Sequence, residues 1–183
     1  SCFKKDILNL VYLCRFYGLN EVADFWEQVI KINEWQQKRI TSLIIKNLFG
    51  NLSDKRLAIL GFSFKANTND TRESPSISIS NDLLKEGAKL AFYDPKVSKK
   101  QIINSINDSG SESKLIFCKS ALEATQGADA VIILTEWDEF KYLDWGIIYK
   151  NMRKPAWIFD SRICLDRDTI EKIGFNFWSV GTM

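Results

Sequence analysis

The first residues, SCFKKD, set a thiol beside two cations and a carboxylate. Cys2 precedes Lys4 and Lys5, and Asp6 follows about one helical turn after the thiol. Cations and the free amides of a helix start both stabilise a thiolate, so this spacing suits an activated sulfur nucleophile. The plainer alternative for Cys2 is a partly buried thiol next to surface charges, the usual state of an unpaired cysteine. A second group is cationic and dispersed: Lys65, Arg72 and Arg162. Guanidinium groups clasp phosphates bidentately, so an anionic ligand is the natural partner if these three meet. Alternatively they are solvated loop charges, or they pair with Asp70, Glu73 and Asp160.

The chain of 183 residues contains no histidine. Ser-His-Asp and Cys-His catalysis are therefore excluded within it, and proton transfer falls to Lys, Asp or Glu. The cysteines at Cys2, Cys14, Cys118 and Cys164 form no C-x-x-C pair. No Cys/His zinc site can be assembled, no metal is expected, and four scattered thiols do not make a disulfide scaffold. A reducing, cytoplasmic setting follows as the expectation. With 25 Lys+Arg against 23 Asp+Glu, the net charge of +2 does not suggest nucleic acid or a membrane surface as partner. No apolar run approaches the roughly 20 residues that span a bilayer, and no signal peptide is visible. The 45% hydrophobic, 26% charged composition is that of an ordinary globular chain, long enough for one domain with an appendage. It starts at Ser1 without a methionine, as expected of a piece of something larger.

The elements that must position these groups fall into two textures. Residues 5–17 carry Ile7, Leu10, Val11, Cys14 and Tyr17 at helical spacing, with Gly18 as a stop. Asn20 is a candidate cap for a second helix that keeps its period through Val22, Trp26, Val29, Ile40, Ile44 and Leu48, with Asn33 as a polar interruption. Thirty residues would extend about 45 Å, more than one small domain needs. Such a helix supports a neighbouring domain or a second subunit.

After Asp54, strand-like and helical runs alternate. Strands are predicted at 56–60, 89–94, 114–118, 130–135, 156–160 and 175–180. Ser74 and Pro75 open a helix ending near Gly87, and Ser120 with Glu123 has the pattern of a capping box. A helical segment carries Trp137, Phe140, Leu143 and Ile147, another short helix lies near 166–173, and the polar stretch 107–113 reads as an exposed loop. The alternation predicts an α/β fold: a Rossmann-like, doubly wound parallel sheet of about six strands, preceded by a long helical segment, in the order 3-2-1-4-5-6. The boundary is placed near 50–54, giving a helical region 1–50 and a sheet domain 51–183.

In such a sheet, ligands gather beyond the carboxyl ends of the strands, where the order reverses. Lys65 and Arg72 follow the first strand, Thr135 and Glu136 the fourth, Asp160 and Arg162 the fifth. The first strand ends at Gly61, yet the expected G-x-G-x-x-G is missing; Phe62, Phe64 and Lys65 stand where small residues would admit a pyrophosphate. Asp94 ends the second strand where a dinucleotide fold holds a ribose, but without the glycines it is expected to form a turn with Pro95.

Five stretches together resemble the UDP-glucose 6-dehydrogenase family, within the nucleotide-sugar dehydrogenases: SCFKKDILNLVY (1–12), GFSFKANTNDTRESPS (61–76), YDPKV (93–97), TEWDEF (135–140) and FDSRICLD (159–166). They occur in the family's order and cover the chain nearly end to end. The resemblance implies a two-step oxidation of UDP-glucose to UDP-glucuronate with NAD. Cys2 would match the nucleophile, which adds to the aldehyde, loses hydride and leaves a thioester for water, and Asp6 the aspartate that assists proton transfer. Phe64, Lys65 and Arg162 would match contacts to the UDP-sugar. Cys2, Phe3, Lys4 and Lys5 would line the nicotinamide end, and Arg72 would reach NAD. The long helix 20–49 resembles a central helix that carries dimer contacts, and NLFGN (47–51) a segment associated with hexamers. Homo-oligomers are therefore expected, and no nucleic-acid or membrane partner. The family's glycine fingerprint, catalytic lysine and glutamate do not occur before Cys2, so the chain is expected to be the C-terminal part of such an enzyme, inactive alone. A non-catalytic nucleotide-sugar-binding or oligomerisation module and a plain NAD-binding regulator are the alternatives.

Overall fold

The computed structural model describes residues 2–106 and 112–181, without the side chains of Cys2 and Glu112. The loop expected at 107–113 lies largely outside this description. Two helices come first, α1 (Cys2–Phe16) and α2 (Asn20–Asn47). Between them Gly18 adopts φ +75°, and Leu19 N–H donates to Cys14 O, which ends α1. The hairpin closes on Val11, Cys14 and Ala23, with Ile7, Leu10 and Trp26 at the edge. Asn20 does not cap α2: the cap position falls on Leu19, which offers no side-chain acceptor, so Asn20 is already helical. The 28 residues of α2 extend about 42 Å. Its first turns pack on α1, and Ile40 and Ile44 of its last turns, with Leu48 just past its end, enter the main core. Residues 31–35 between them are all exposed.

The remainder is a sheet of β1 (Arg56–Leu60), β2 (Lys89–Tyr93), β3 (Leu115–Phe117), β4 (Ala130–Ile133), β5 (Trp157–Asp160) and β6 (Asn176–Ser179). The order is β3-β2-β1-β4-β5-β6 and every neighbouring pair is parallel. Connecting helices are α3 (Pro75–Lys85), α4 (Lys99–Ser105), α5 (Ala121–Thr125), α6 (Asp138–Lys141), α7 (Trp145–Asn151) and α8 (Arg167–Ile173). Two cores flank the sheet. Leu57 and Ile59 of β1 point toward α2 and α3, while Ala58 and Leu60 point toward α5, α6 and α7. A strand covered on both faces reads as a continuous apolar run, which is why RLAIL shows no alternation. All four residues are sealed from water, and burial of Leu57, Ile59 and Leu60 stabilises the fold by about 1.5–3 kcal/mol each. No helix of the described residues is long and apolar enough to cross a membrane.

Local chemistry departs from the sequence pattern in three further places. Helix α4 was not expected; a capping box of Ser98 and Gln101 starts it, but seven residues are too few to show a period. The segment from Trp137 to Ile147 breaks into α6 and α7, because Asp144 accepts from Ile147 N–H and starts a new helix. Ser120 caps α5 by accepting from Glu123 N–H, but the Glu123 carboxylate accepts from Lys119 N–H rather than closing a capping box on Ser120.

The segments following β1 and β4 pack tightly together at Gly61 and Thr135. Gly61 has φ +87°, and a Cβ there would lie 2.5 Å from Thr135 Cβ. Left-handed backbone and overlap act together, so Gly61→Ala is expected to destabilise the protein by about 2–5 kcal/mol. Chemical denaturation checks this; a loss below about 1 kcal/mol would mean that the ends of β1 and β4 part easily.

Candidate functional site

Two aspartates organise the carboxyl edge of the sheet. Beyond Gly61, Phe62 N–H and Ser63 N–H donate to Asp94 Oδ2 at 2.7 and 3.0 Å. In a glycine-rich loop such amides would face a pyrophosphate. Trp137 Nε1–H reaches the same oxygen at 3.1 Å, and Lys96 and Val97 N–H occupy Oδ1 at 2.8 and 2.9 Å. Asp94 thus makes the expected turn with Pro95 and also fills the would-be phosphate cradle from within. Phe62 is buried and packs edge-on against Phe92, with ring centroids 5.7 Å apart, so no cofactor can take its place. The chain's own β1 loop does not fit a dinucleotide.

Asp160 is fully buried at the end of β5. It accepts from Arg162 N–H at 2.9 Å and from Cys164 and Leu165 N–H at 2.7 and 2.9 Å. This turn swings the Arg162 side chain back over the sheet edge. Its Nε donates to Leu134 O at 2.8 Å, and Nη2 lies 3.5 Å from Phe64 O. Glu136 stands 3.4 Å from Nε, outside hydrogen-bond geometry, and its Oε2 has no hydrogen-bond partner among the described residues. The guanidinium therefore ties the β4 loop to the β1 loop.

Arg162, Glu136, Phe64 and Lys65 form one wall of a cleft of about 770 Å³. The start of α3 forms its floor through Ser74, Ile77 and Ser78, and α2 the opposite wall through Asn33, Glu34, Gln37 and Lys38. Phe3 and Lys4 of α1 close one end. Ser78 Oγ donates to Gln37 Oε1 at 2.8 Å and links α2 to α3 there. The volume matches pockets that take nucleotide-sized ligands. Lys4 is shared between Glu34 at 3.4 Å and Glu73 at 3.8 Å. Lys65 is exposed and has no ion pair within 4.0 Å among the described residues. The cleft can therefore offer an exposed ammonium and a held guanidinium to an anion, beside the ring of Phe64.

The sequence pattern of the UDP-glucose/GDP-mannose dehydrogenase family, UDP binding domain, matches residues 58–167. The chain belongs to this family. Similar proteins include UDP-glucose 6-dehydrogenase of Caenorhabditis elegans, 47% identical over 186 residues that cover 100% of this chain and 39% of the relative. The Gallus gallus UDP-glucose 6-dehydrogenase is 51% identical over 189 residues, 99% of this chain and 38% of the relative. The chain thus spans about two fifths of the length of these curated relatives. Among solved structures, a UDP-glucose dehydrogenase from Pyrobaculum islandicum superposes with a TM-score of 0.69 at 24% identity, over 87% of this chain and 33% of that one. A UDP-D-ManNAc dehydrogenase from Pyrococcus horikoshii gives 0.66 at 26%, over 90% and 34%. At these identities the structural likeness supports the α/β fold of the family.

Of the residues singled out by sequence, Phe3, Lys4, Phe64, Lys65 and Arg162 line the one cleft. Lys5 and Asp6 are exposed on α1, outside its lining. Arg72 is also outside; it grips Asp70 through Nε at 3.0 Å and Nη2 at 2.8 Å and holds that half-buried carboxyl down at about 2. The thiol of Cys2 lies outside the described side chains, though Cys2 opens α1 directly before two lining residues. The α2 wall was missed by sequence; its one signal was Asn33, a polar break in an apolar stripe. Burial, followed by Asp160 and Glu136, pushes the Cys164 thiol up to about 12 from 9.0. It is expected to resist iodoacetamide at pH 8 in the native protein and react in urea, as peptide mass spectrometry would record. A raised thiol favours the fold below pH 9, and this contribution falls as pH climbs from 9 toward about 12.

Proposed function

We propose that the cleft is a UDP-sugar site and that the chain is the C-terminal part of an NAD-dependent UDP-glucose 6-dehydrogenase, which oxidises UDP-glucose to UDP-glucuronate. One observation carries this reading: Lys65 and Arg162, from different loops, face the same cleft in a chain about half identical to UDP-glucose 6-dehydrogenases. The diphosphate of an activated sugar is the ligand that such a pair favours, since Arg presents a planar fork and Lys a point charge. Phe64 supplies an apolar face beside them, and the polar α2 wall suits sugar hydroxyls.

Within this reading Cys2 is the nucleophile, and its position supports the role: α1 carries it to the end of the cleft that Phe3 and Lys4 close. Cys2 holds the sugar's C6 as a thioester, and Asp6 assists the proton transfer that accompanies its hydrolysis. NAD, when bound, supplies the hydride acceptor; Phe3, Lys4, Lys5 and Arg72 are the residues of this chain assigned to meet it. Phe3 is half-exposed and the other three are cationic, a donor set that suits the edge of a dinucleotide.

The proposed division is a helical linker and dimerisation region at 1–50 and a UDP-sugar-binding domain at 51–183, with the last turns of α2 serving both. A homodimer through α2 is supported by Phe25, Ile32 and Trp35, each at least 60% exposed along it. A hexamer of the longer protein rests on the resemblance of residues 47–51. A cytoplasmic setting is supported by the free thiols of Cys14, Cys118 and Cys164.

Calorimetry with UDP tests the cleft. The chain is expected to bind, Arg162→Ala to weaken binding by about 1–3 kcal/mol, and Arg72→Ala to leave it unchanged. Equal affinity of Arg162→Ala and the wild type would remove Arg162 from the site. A longer protein carrying this sequence is expected to form NADH from UDP-glucose and to lose that activity with Cys2→Ala, whereas binding without turnover in both would favour a non-catalytic module.

A further inference from the structure

The geometry points to Asp94 as the positioning residue of the UDP-sugar cleft: it sets where Phe64 and Lys65 stand without lining the cleft itself. This inference rests on the cleft reading above and deepens it. Asp94 accepts from five N–H groups that belong to three separate segments. Phe62 and Ser63 immediately precede Phe64 and Lys65, so the carboxylate holds the backbone one residue away from the ligand-facing pair. Trp137 immediately follows Glu136, which lines the facing part of the same wall. Lys96 and Val97 hold the carboxylate itself in place.

The loop has other anchors, and they leave Asp94 a distinct task. Thr135 Oγ1–H donates to Ser63 O at 2.7 Å, and Phe64 N–H donates to Asp70 O at 2.8 Å. Those bonds fix carbonyls and the far side of the loop. The two amides at its entry have Asp94 as their acceptor, and amides of residues buried beyond a strand end need one. A neutral side chain could not replace it fully, because both carboxylate oxygens are in use. In Asp94→Asn the amide nitrogen must face either the three donors on one oxygen or the two on the other. Whichever way it turns, donor meets donor.

The test compares Asp94→Ala and Asp94→Asn with the wild-type full chain in two measurements. Hydrogen exchange of the Phe62 and Ser63 amides reads the loop, and a UDP titration reads the cleft. In Asp94→Ala, exchange at those amides is expected to rise about 100-fold and UDP affinity to fall about tenfold, with Asp94→Asn intermediate in both. If Asp94→Ala does not fold, Asp94→Asn carries the test, with a loss of about threefold expected. Asp129→Asn is the control for plain destabilisation: Asp129 accepts from Arg56 N–H at 2.8 Å and Arg153 Nη1–H at 3.3 Å at the opposite end of the sheet. It is expected to lower the melting temperature without moving UDP affinity. Unchanged exchange in folded Asp94 variants overturns the inference, as does raised exchange with UDP affinity within about twofold of wild type. A wild-type chain that does not bind UDP overturns the cleft reading instead, and exchange then decides alone whether Asp94 anchors the loop.

Discussion

Parallel strands end with backbone N–H groups that the ladder no longer satisfies, and in this chain they end among packed loops rather than in water. Satisfying those groups is the constraint on which the carboxyl edge of the sheet depends. Asp94 and Asp160 do it, one at the end of β2 and one at the end of β5. Their carboxylates take backbone amides from three loops between them. Each acts as a hub because an ionised carboxylate has up to four acceptor sites and no proton of its own to place. Bonds from neutral amides to a charged acceptor are stronger than amide–carbonyl bonds, so a few such contacts hold loops that have little apolar packing.

The consequence is a division of labour at the edge. In a glycine-rich nucleotide loop the backbone amides bind the phosphate directly. Here those amides are spent on Asp94, so in the proposed reading side chains take over the contact with an anion. That exchange explains why bulky Phe62 and Phe64 are tolerated after Gly61: one fills the core against Phe92, and the other turns to the cleft. Arg162 does two jobs with one guanidinium, bonding Leu134 O while leaving N–H groups toward the cleft. The Lys4 pairs with Glu34 and Glu73 involve side chains that are 40–54% exposed, so they are weak.

Helix α2 contributes in a different way. Its last turns are clamped into the sheet's core through Ile40, Ile44 and Leu48, and this fixes the height at which Asn33, Glu34, Gln37 and Lys38 face the β1 loop. Its first turns hold α1, whose start reaches back to the cleft at Phe3 and Lys4. The stretch between is bare of core contacts, which gives it freedom to carry polar side chains on the cleft side and large apolar ones such as Ile32 and Trp35 elsewhere.

Much of this was legible in the residue order. The apolar runs at RLAIL and AVII, the Ser74–Pro75 cap and the glycine stops mark elements because each is a local preference, expressed within a few residues. The strand order followed from those elements and the handedness of crossovers. Short α4, the split between α6 and α7, and Leu19 in place of Asn20 at the start of α2 were not legible, since single capping bonds decide them and many residues could make such bonds. By itself the sequence determined which residues carry charge, where the six strands and the longer helices run, and that the first loop lacks a phosphate-binding glycine pattern. Only the tertiary structure decided that Asp94 reaches across to Phe62 and Ser63, that Arg162 bridges two loops, and that α2 walls the cleft. Those contacts join residues 28 to 98 positions apart, and such distances are closed by packing the sheet rather than by any local preference.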